Sequence, residues 1–476
     1  MMVETTPNLD ALFYPKSIAV VGTSPKRGFV WSSGNAYING CIKQSYQGKI
    51  YPVHPEAKQI LGYTCYPGID AIPDDIDLVI FCIPSHAVLD VMESCVRKKV
   101  KFVHLLTAGF SETGRSEYAE IERKLVKTAR EGGIRIVGPN CMGLYCPEGG
   151  ISWNGEMPDR IGSVGLFSQS GQLANMIVMA GSIKRVSFSK VVSFGNACDL
   201  KAHDYLNYLA DDPKTRIIAA YLEGVPCGRE FFEAAKRITR NKPLIVWKGG
   251  QTEGGARATQ SHTAALAGSH RIWNAMCRQA GIISVNSIDE MVQMISAIKR
   301  LPYPEGNRVA VLGGAGGGSV TMTDLAEKEG LTVPHLTDET IAELEAFIPL
   351  QGSSAKNPLD ILPHLHDMES FKKVMTLLKD DANIDSLIFN VNLAFIYREA
   401  GRAGVSFYMD TIAKVKEWLE KPMYLVGDTF KNLEMQALQF EAEELLSTRR
   451  IPMFSSFEIV ARIVTSLTTY KAYLAE

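Results

Sequence analysis

The sequence predicts an α/β protein built from three doubly wound domains, and three occurrences of one pattern are the reason. In each, an apolar run enters a turn rich in glycine or serine and continues into a helical pattern; the occurrences begin at residues 17–22, 162–171 and 308–318. The apolar runs are continuous rather than alternating, which is typical of strands buried on both faces of a parallel sheet. Each occurrence therefore predicts the first strand, turn and helix of a doubly wound domain.

Domain boundaries follow from length and local composition. A chain of 476 residues is longer than one hydrophobic core usually spans. Residues 146–161 and 301–306 are rich in proline and glycine, a composition typical of linkers. We therefore predict domains over residues 1–150, 151–303 and 304–476.

Composition and charge exclude several classes of protein. Apolar residues make up 46% of the chain and charged residues 21%, the balance of a folded rather than a disordered protein. The 50 basic residues are matched by 52 acidic ones, so no concentrated basic face for nucleic acid is expected. No apolar run approaches the ~20 residues of a membrane span, and the start of the chain lacks a signal-peptide pattern. Nine scattered cysteines without a C-x-x-C pair favour the reduced cytoplasm and predict no metal in this chain. Taken with the charge balance and the apolar runs, the composition predicts no membrane or nucleic-acid partner.

Four turns of the first domain are expected to meet in one crevice. Ligands of open α/β sheets bind beyond the carboxyl ends of the strands. The turns that follow later strands are residues 54–55, 84–86, 107–110 and 138–140. We expect these turns to line a common ligand site.

The first turn of this domain, residues 22–28, is not a dinucleotide-binding turn. It departs from G-x-G-x-x-G, and no acidic residue for a ribose follows the next strand, which disfavours a plain NAD site. Lys26 and Arg27 suit a diphosphate or another phosphate-bearing ligand. An ordinary solvated basic loop is the alternative, and the sequence leaves both open.

In the second domain, Ser168-Gln169-Ser170-Gly171 leads into a helix. A helix N-terminus presents free N–H donors and a partial positive charge, and serine hydroxyls add donors. An anion gains about 0.3–1 kcal/mol there when exposed and up to ~2 kcal/mol when partly buried. The segment indicates a phosphate site or, equally, a simple capped helix start. A hydrolase is disfavoured because the segment is not G-x-S-x-G.

Two further residues follow strand ends of the same domain. Glu223 comes after the apolar run 217–222, and a glycine-rich loop after residue 247 leads to His262, whose neighbours are small. A carboxylate bonded to one imidazole nitrogen fixes the tautomer and leaves the other nitrogen as a nucleophile. We predict that His262 carries a phosphoryl group; a packed histidine with both nitrogens satisfied is the alternative.

The third domain offers fewer candidates. Residues 313–318 are rich in glycine, but no Gly-Lys-Ser/Thr follows, so this is not a Walker A loop. We predict a close-packed turn between strand and helix. Asp360 is either a functional carboxylate or a cap.

Six segments, taken in order, resemble the alpha subunit of the nucleoside-diphosphate-forming acyl-CoA synthetases, the group that contains ADP-forming acetyl-CoA synthetase and succinyl-CoA synthetase. The segments are residues 17–22, 51–55, 138–141, 167–171, 222–224 and 261–268. The resemblance covers essentially the whole chain. It implies a Rossmann-like domain that binds coenzyme A, followed by two flavodoxin-like domains of the succinyl-CoA synthetase type.

The resemblance also implies roles for single residues. His262 is the transiently phosphorylated residue, and Glu223 holds its imidazole. The phosphate is bordered by Ser168, Gln169, Ser170, Gly171 and Asn140. The positions that match the coenzyme A site are Gly22, Thr23, Ser24, Val53, His54, Pro55, Ile83, Pro84, Thr107, Ala108 and Gly109. To these we add the basic pair Lys26 and Arg27.

The implied reaction interconverts acyl-CoA, ADP and phosphate with a carboxylic acid, coenzyme A and ATP, through an acyl phosphate and a phosphohistidine. Nothing in the chain resembles an ATP-grasp domain. A separate ATP-grasp beta subunit that holds Mg²⁺ and the nucleotide is therefore implied, in an α2β2 heterotetramer, with a small carboxylic acid as substrate. Two alternatives remain: a non-catalytic regulatory protein that binds coenzyme A, and a nicotinamide-dependent dehydrogenase.

Overall fold

The computed structural model divides into two compact units, Met1–Val292 and Gln293–Glu476. The residues that it describes are 8–25, 34–263, 269–314, 316–349, 351–361, 365, 367–427 and 433–476, with the backbone alone at 260–263. Among these residues no helix is long and apolar enough to cross a bilayer.

The first unit begins with a parallel sheet. Its strands, with one small hairpin, are β1 (Ser17–Val21), β2 (Lys49–Val53), β3 (Gln59–Ile60), β4 (Tyr63–Thr64), β5 (Leu78–Phe81), β6 (Phe102–Leu105) and β7 (Arg135–Val137). The helices are α1 (Asp10–Phe13), α2 (Gly34–Lys43), α3 (Val88–Arg97) and α4 (Ser116–Glu131), with 3-10 turns at Ile69–Ala71, Ser85–Ala87 and Ser111–Thr113.

The order of this sheet is β2-β1-β5-β6-β7, and β3 pairs with β4 separately. Every residue of β1 is buried, as its continuous apolar run predicts. Val21 at the end of β1 lies opposite both Val53 and Phe81, so three strands finish at one edge. That shared edge brings the turns after β1, β2 and β5 together.

A second sheet completes the first unit. Its strands are β8 (Gly143–Tyr145), β9 (Val164–Ser168), β10 (Phe188–Ser193), β11 (Ile217–Leu222), β12 (Leu244–Lys248) and β13 (Ile283–Val285). The helices are α5 (Gly171–Ile183), α6 (Ala202–Asp211), α7 (Gly228–Ile238), α8 (Glu253–Thr263), α9 (His270–Ala280) and α10 (Ile288–Arg300), the last of which reaches into the second unit.

The order of the second sheet is β13-β12-β11-β9-β10-β8. Five strands are parallel, and β8 adds an antiparallel edge next to β10. Because β9 and β11 are neighbours in register, with Ser168 beside Tyr221, the turn that begins α5 lies next to the end of β11. The register of Leu222 with Lys248 places the end of β12 beside it as well.

The second unit has one parallel sheet, ordered β14-β15-β16-β17. The strands are β14 (Val309–Leu312), β15 (Ser386–Val391), β16 (Met423–Gly427) and β17 (Met453–Phe454). The helices are α11 (Gly317–Lys328), α12 (Asp338–Glu345), α13 (Met368–Asp380), α14 (Leu393–Lys416), α15 (Leu433–Thr448) and α16 (Phe457–Ala475). Single parallel bridges join Arg308, just before β14, to Thr332, and Leu312 of β14 to Leu359.

The predicted α/β class with parallel sheets is confirmed. The antiparallel strand β8 was not predicted: it precedes residue 150, yet it pairs with the second sheet. The division into domains at 1–150, 151–303 and 304–476 stays a prediction.

Candidate active site

A cavity of about 310 Å³ lies beyond the ends of β1, β2 and β5. Part of its wall comes from residues that the sequence assigned to coenzyme A, namely Gly22, Thr23, Val53, His54, Pro55 and Ile83. The rest comes from Val21, Pro67, Gly68, Ile69, Asp90, Val91 and Ser94. Residues from four separate turns or strand ends thus meet at the edge where ligands of open α/β sheets bind.

The turn after β1 needs glycine at its first position. Gly22 has φ +93°, and a side-chain Cβ there would lie 2.2 Å from the carbonyl oxygen of Cys82. The turn is tied to β2 because the Thr23 hydroxyl donates to the carbonyl of Val53 at 3.0 Å. Asn35 holds the next residue, Ser24, by accepting from its N–H at 3.0 Å and donating to its carbonyl at 2.8 Å. These contacts fix the position of the turn Gly22 to Ser24, part of which lines the cavity.

His54 presents a defined tautomer to this cavity. Its Nδ1 accepts from the main-chain N–H groups of Glu56 and Ala57, at 3.2 and 3.1 Å. In the neutral ring the proton is therefore on Nε2, which is a donor.

The remaining described residues assigned to coenzyme A do not line this cavity. The Thr107 hydroxyl donates to the carbonyl of Ile83 at 2.7 Å, which joins the turn after β6 to the end of β5. Gly109 has φ +97° and donates its N–H to Glu112 Oε1 at 2.6 Å. Pro84 precedes the 3-10 turn Ser85–Ala87, and Ala108 lies between Thr107 and Gly109. Lys26 and Arg27 lie outside the described residues.

The hydroxyls of the two serines before α5 form hydrogen bonds within the turn. The buried Ser168 hydroxyl donates to the carbonyl of Ser170 at 2.7 Å and accepts from its N–H at 3.1 Å. The Ser170 hydroxyl caps α5 by accepting from Leu173 N–H at 3.3 Å. At Gly171 a Cβ would lie 2.3 Å from Met142 Cγ. The capped helix start that the sequence offered as an alternative is thus present, and it leaves the positive end of a 13-residue helix at this edge.

Gln169 links this turn to Glu223. Its Oε1 accepts from the main-chain N–H groups of Glu223 and, at 2.9 Å, of Gly224. Glu223 is 6% exposed, and the Tyr221 hydroxyl donates to its Oε1 at 3.4 Å. Burial, and then the charge of Glu223, raise the pKa of Tyr221 well above its usual value, so the phenol stays a donor. The structure therefore brings together the predicted phosphate turn and the predicted carboxylate.

Lys248 adds a buried cation that the sequence analysis missed. Its Nζ donates to the carbonyl of Glu223 at 2.7 Å and to that of Gly249. Burial lowers the pKa of Lys248, and the nearby charge of Glu223 opposes that shift. A lysine at the end of an otherwise apolar strand was the signal available in the sequence.

Asn140 lies in a hydrogen-bonded chain of residues. It has φ +57°, and its Nδ2 donates to Asn196 Oδ1 at 3.5 Å. Asn196 in turn donates from Nδ2 to Glu112 at 2.6 Å and to Glu122 at 3.3 Å. Because Glu112 also binds Gly109, this chain joins Asn140 to the turn after β6. The sequence analysis missed Asn196, Glu112 and Glu122, whose polar side chains follow no motif.

The glycine-rich loop predicted before His262 is shorter than expected. The structure has a helix, α8, from Glu253 to Thr263, so His262 lies in the last turn of that helix. Residues 256–260 are good helix formers or neutral, and only Gly254 and Gly255 of the loop enter the helix. The helix contacts the 3-10 turn Ser111–Thr113. The side chains of residues 260–268, His262 among them, lie outside the described residues, so its pairing with Glu223 stays a prediction.

Two families match the chain. Residues 16–147 match the family described as a CoA binding domain, which contains β1 to β8. Residues 161–298 match the family described as a succinyl-CoA ligase like flavodoxin domain, which contains β9 to β13.

Relatives with known names share most of the chain. The alpha subunit of ADP-forming acetate–CoA ligase II from Pyrococcus furiosus is 36% identical over 96% of this chain and 97% of that protein. ADP-forming acetate–CoA ligase I from Archaeoglobus fulgidus is 37% identical over 80% of this chain but only 54% of that protein. Among solved structures, the dinucleotide-forming acetyl-coenzyme A synthetase 1 of Ca. Korarchaeum cryptofilum, in complex with phosphate and ADP, matches with a TM-score of 0.80, 30% identity and 98% coverage of both chains.

Proposed function

We propose a mechanism for a chain that belongs to the ADP-forming acyl-CoA ligases, as an alpha subunit of that family. The reaction interconverts acyl-CoA, ADP and phosphate with a carboxylic acid, coenzyme A and ATP. The observation that carries the mechanism is the Gln169 bridge, because one side-chain oxygen binds both N–H groups that follow β11 and so sets Glu223 beside the start of α5.

Coenzyme A binds at the edge of the first sheet. The cavity beyond β1, β2 and β5 takes part of the ligand, with His54 Nε2 as a donor. The turn at Thr107 to Gly109, tied to Ile83 and to Glu112, continues the site along the same edge. Lys26 and Arg27 supply positive charge for the phosphates of the ligand.

Phosphate binds at the N-terminus of α5. A phosphate oxygen attacks the thioester carbonyl, the C–S bond breaks, and coenzyme A leaves as the thiol after taking a proton. The acyl phosphate then passes its phosphoryl group to His262, and the carboxylate of the acid leaves. Free N–H groups and the dipole of α5 stabilise the negative charge throughout.

Glu223 accepts a hydrogen bond from one nitrogen of His262 and leaves the other as the nucleophile. The P–N bond keeps high transfer potential, so ADP can take the phosphoryl group in the last step. The connection from β12 to α8 lets the helix carry phosphohistidine between two sites.

The nucleotide and Mg²⁺ bind to a partner subunit with an ATP-grasp fold, in an α2β2 assembly in the cytoplasm. This proposal is supported by the alpha-subunit name of the Pyrococcus furiosus relative. It is also supported by the Archaeoglobus fulgidus relative, of which the chain spans about half.

The experiment is turnover by the chain reconstituted with its partner subunit, with His262→Asn and Glu223→Gln as variants. His262→Asn is expected to abolish ATP synthesis from acyl-CoA, ADP and phosphate. Glu223→Gln is expected to lower the rate by about 100-fold or more, within the range of ~10²–10⁴ for loss of a positioned acid–base group. The control is His270→Asn, an exposed histidine at the start of α9. Full turnover by His262→Asn would refute the mechanism.

A further inference from the structure

One ammonium group binds the ends of two neighbouring strands. Lys248 is the last residue of β12 and is 6% exposed. Its Nζ donates to the carbonyl of Glu223, which follows β11, at 2.7 Å. The same Nζ donates to the carbonyl of Gly249, which begins the connection from β12 to α8.

The two acceptors lie next to the two groups that the proposed chemistry brings together. Glu223 is the carboxylate that holds the imidazole, and residues 249–252 connect β12 to the helix that bears His262. Gly250 in that connection has φ +68°, and a Cβ there would lie 2.6 Å from Thr259 Oγ1. The connection is therefore a tight turn whose first carbonyl is held by Lys248.

A cation at this place has a cost that an apolar side chain would avoid. Burying a charge is unfavourable unless it is paired and hydrogen-bonded. Among the described residues, the charge that acts on Lys248 is that of Glu223, which follows β11, and the Tyr221 hydroxyl bonds that carboxylate. Methionine would fill the same volume without that penalty, so packing alone does not account for lysine here.

A second lysine, two residues before β12 and partly buried, also bonds two main-chain carbonyls, away from the site. Lys242 precedes β12, and its Nζ donates to the carbonyls of Leu209 at 3.1 Å and Asp212 at 2.7 Å. Burial lowers the pKa of Lys242 as well. The two lysines differ in position, because Lys242 lies before the amino end of β12 and Lys248 is its last residue.

We propose that Lys248 is a positioning residue for phosphoryl transfer: it fixes Glu223 relative to the turn that leads into α8, so that histidine and carboxylate meet in a constant geometry. This inference rests on the proposed function of His262. It assigns Lys248 no contact with the substrate.

The test compares Lys248→Met with Lys242→Met in the chain reconstituted with its partner subunit. The readouts are the rate of phosphohistidine formation from Mg-ATP, the kcat and the KM for coenzyme A, and the melting temperature. Lys248→Met is expected to lower kcat and the phosphorylation rate at least tenfold while leaving the KM for coenzyme A unchanged. Lys242→Met is expected to keep the wild-type rate. Equal rates for Lys248→Met and wild type, or an equal loss in Lys242→Met, would overturn the proposal.

A second variant covers failure of Lys248→Met to fold. Lys248→Arg keeps the positive charge but replaces the compact ammonium by a larger planar guanidinium, whose donors point in fixed directions. It is expected to lower the phosphorylation rate at least threefold, and a wild-type rate would overturn the proposal. Failure of the proposed function is distinguishable, because the wild-type protein itself would then carry no label on His262.

Discussion

The turns that begin α5 and α11 resemble each other in the sequence but differ in what binds the helix start. Before α5, neutral hydroxyls of Ser168 and Ser170 close the turn. Before α11, the carboxylate of Asp360 accepts from Gly316 N–H at 3.2 Å. A carboxylate uses the positive end of the helix and repels a further anion, whereas a neutral cap leaves the dipole for a ligand.

The glycines of the second turn serve close packing. A Cβ at Gly313 would lie 2.2 Å from the carbonyl oxygen of Asn390, and one at Gly314 would lie 2.3 Å from Met322 Cε. This agrees with a close-packed turn between strand and helix. The Asp360 carboxylate binds the N–H of Gly316, the residue just before α11. A shared strand-turn-helix pattern thus predicts a helix start, and we infer that the charge of the side chain bound near that start decides whether it favours an anion.

The largest effect is expected from placing a carboxylate at the start of α5, as Asp360 places one next to the start of α11. In Ser170→Asp, a good N-cap is retained, so the melting temperature should change little. The new carboxylate should raise the KM for phosphate by about 10- to 30-fold, since a charge at a partly buried helix end contributes up to ~2 kcal/mol. Steady-state kinetics with varied phosphate measures this. Asp360→Asn is the control and should leave the KM for phosphate unchanged; an unchanged KM in Ser170→Asp would contradict the comparison.

A smaller effect is expected at the bridge between the α5 turn and Glu223. Gln169→Leu removes the acceptor of two buried N–H groups, each of which costs ~1–3 kcal/mol when left unpaired. The rate of phosphohistidine formation should fall about tenfold, the equivalent of ~1.4 kcal/mol, and the melting temperature should fall too. Rapid-quench labelling measures the rate.

The matched control is Gln293→Leu in the second unit. Gln293 is 1% exposed and exchanges two hydrogen bonds with Ser455. Its loss should lower the melting temperature without slowing phosphorylation. If both variants lose the rate equally, the bridge has no specific role.

A variant in the turn at the edge of the first sheet should weaken coenzyme A binding without slowing phosphorylation. Gly22→Ala forces a Cβ against the carbonyl of Cys82, and the strained backbone costs ~1–3 kcal/mol. The Kd for coenzyme A should rise severalfold, while phosphorylation of His262 by Mg-ATP should continue at the wild-type rate. Gly62→Ala is the control, because Gly62 also has positive φ, at +87°, but its Cβ would meet nothing within 4 Å. Calorimetric titration with coenzyme A separates the two variants.

The smallest effect on the reaction rate is expected from replacing His104 of β6, because this residue should affect only the stability of the fold. Burial lowers the pKa of His104 from 6.5 to about 4, and its Nε2 lies 3.1 Å from the carbonyl oxygen of Cys141. Between these two values the unfolded chain binds the extra proton and the folded chain does not. Stability is therefore complete above about pH 6.5 and is lost as pH falls towards 4, by ~1.4 kcal/mol per unit. Melting curves of wild type and His104→Gln should converge as the pH is lowered.

Much of the fold could be predicted because strand ends in parallel sheets are readable from apolar runs. The turns after β1, β2 and β5 converge for this reason, and so do Ser168 and Glu223. The edge strand β8 could not be predicted, because a segment of three residues is too short to show the periodicity that identifies a strand or its neighbour in the sheet.

The residues of the site that were missed act through contacts between distant segments. Lys248 reads as a polar residue at a strand end, and only the register of β12 with β11 shows that it binds Glu223. Asn196 reaches Glu112 across 84 positions of sequence. The sequence predicts a loop where α8 lies because four glycines, at 249, 250, 254 and 255, precede a segment whose other residues are compatible with a helix.

The central claim is that the imidazole of His262 carries the phosphoryl group. The most direct measurement is peptide mapping by mass spectrometry at neutral pH, after the wild-type chain and its partner subunit react briefly with Mg-ATP. We predict one phosphoryl group, on the peptide that contains His262, which is lost on addition of coenzyme A and the acid. A protein that turns over acyl-CoA while that peptide stays unmodified, or that carries the phosphoryl group on another residue, would contradict the account.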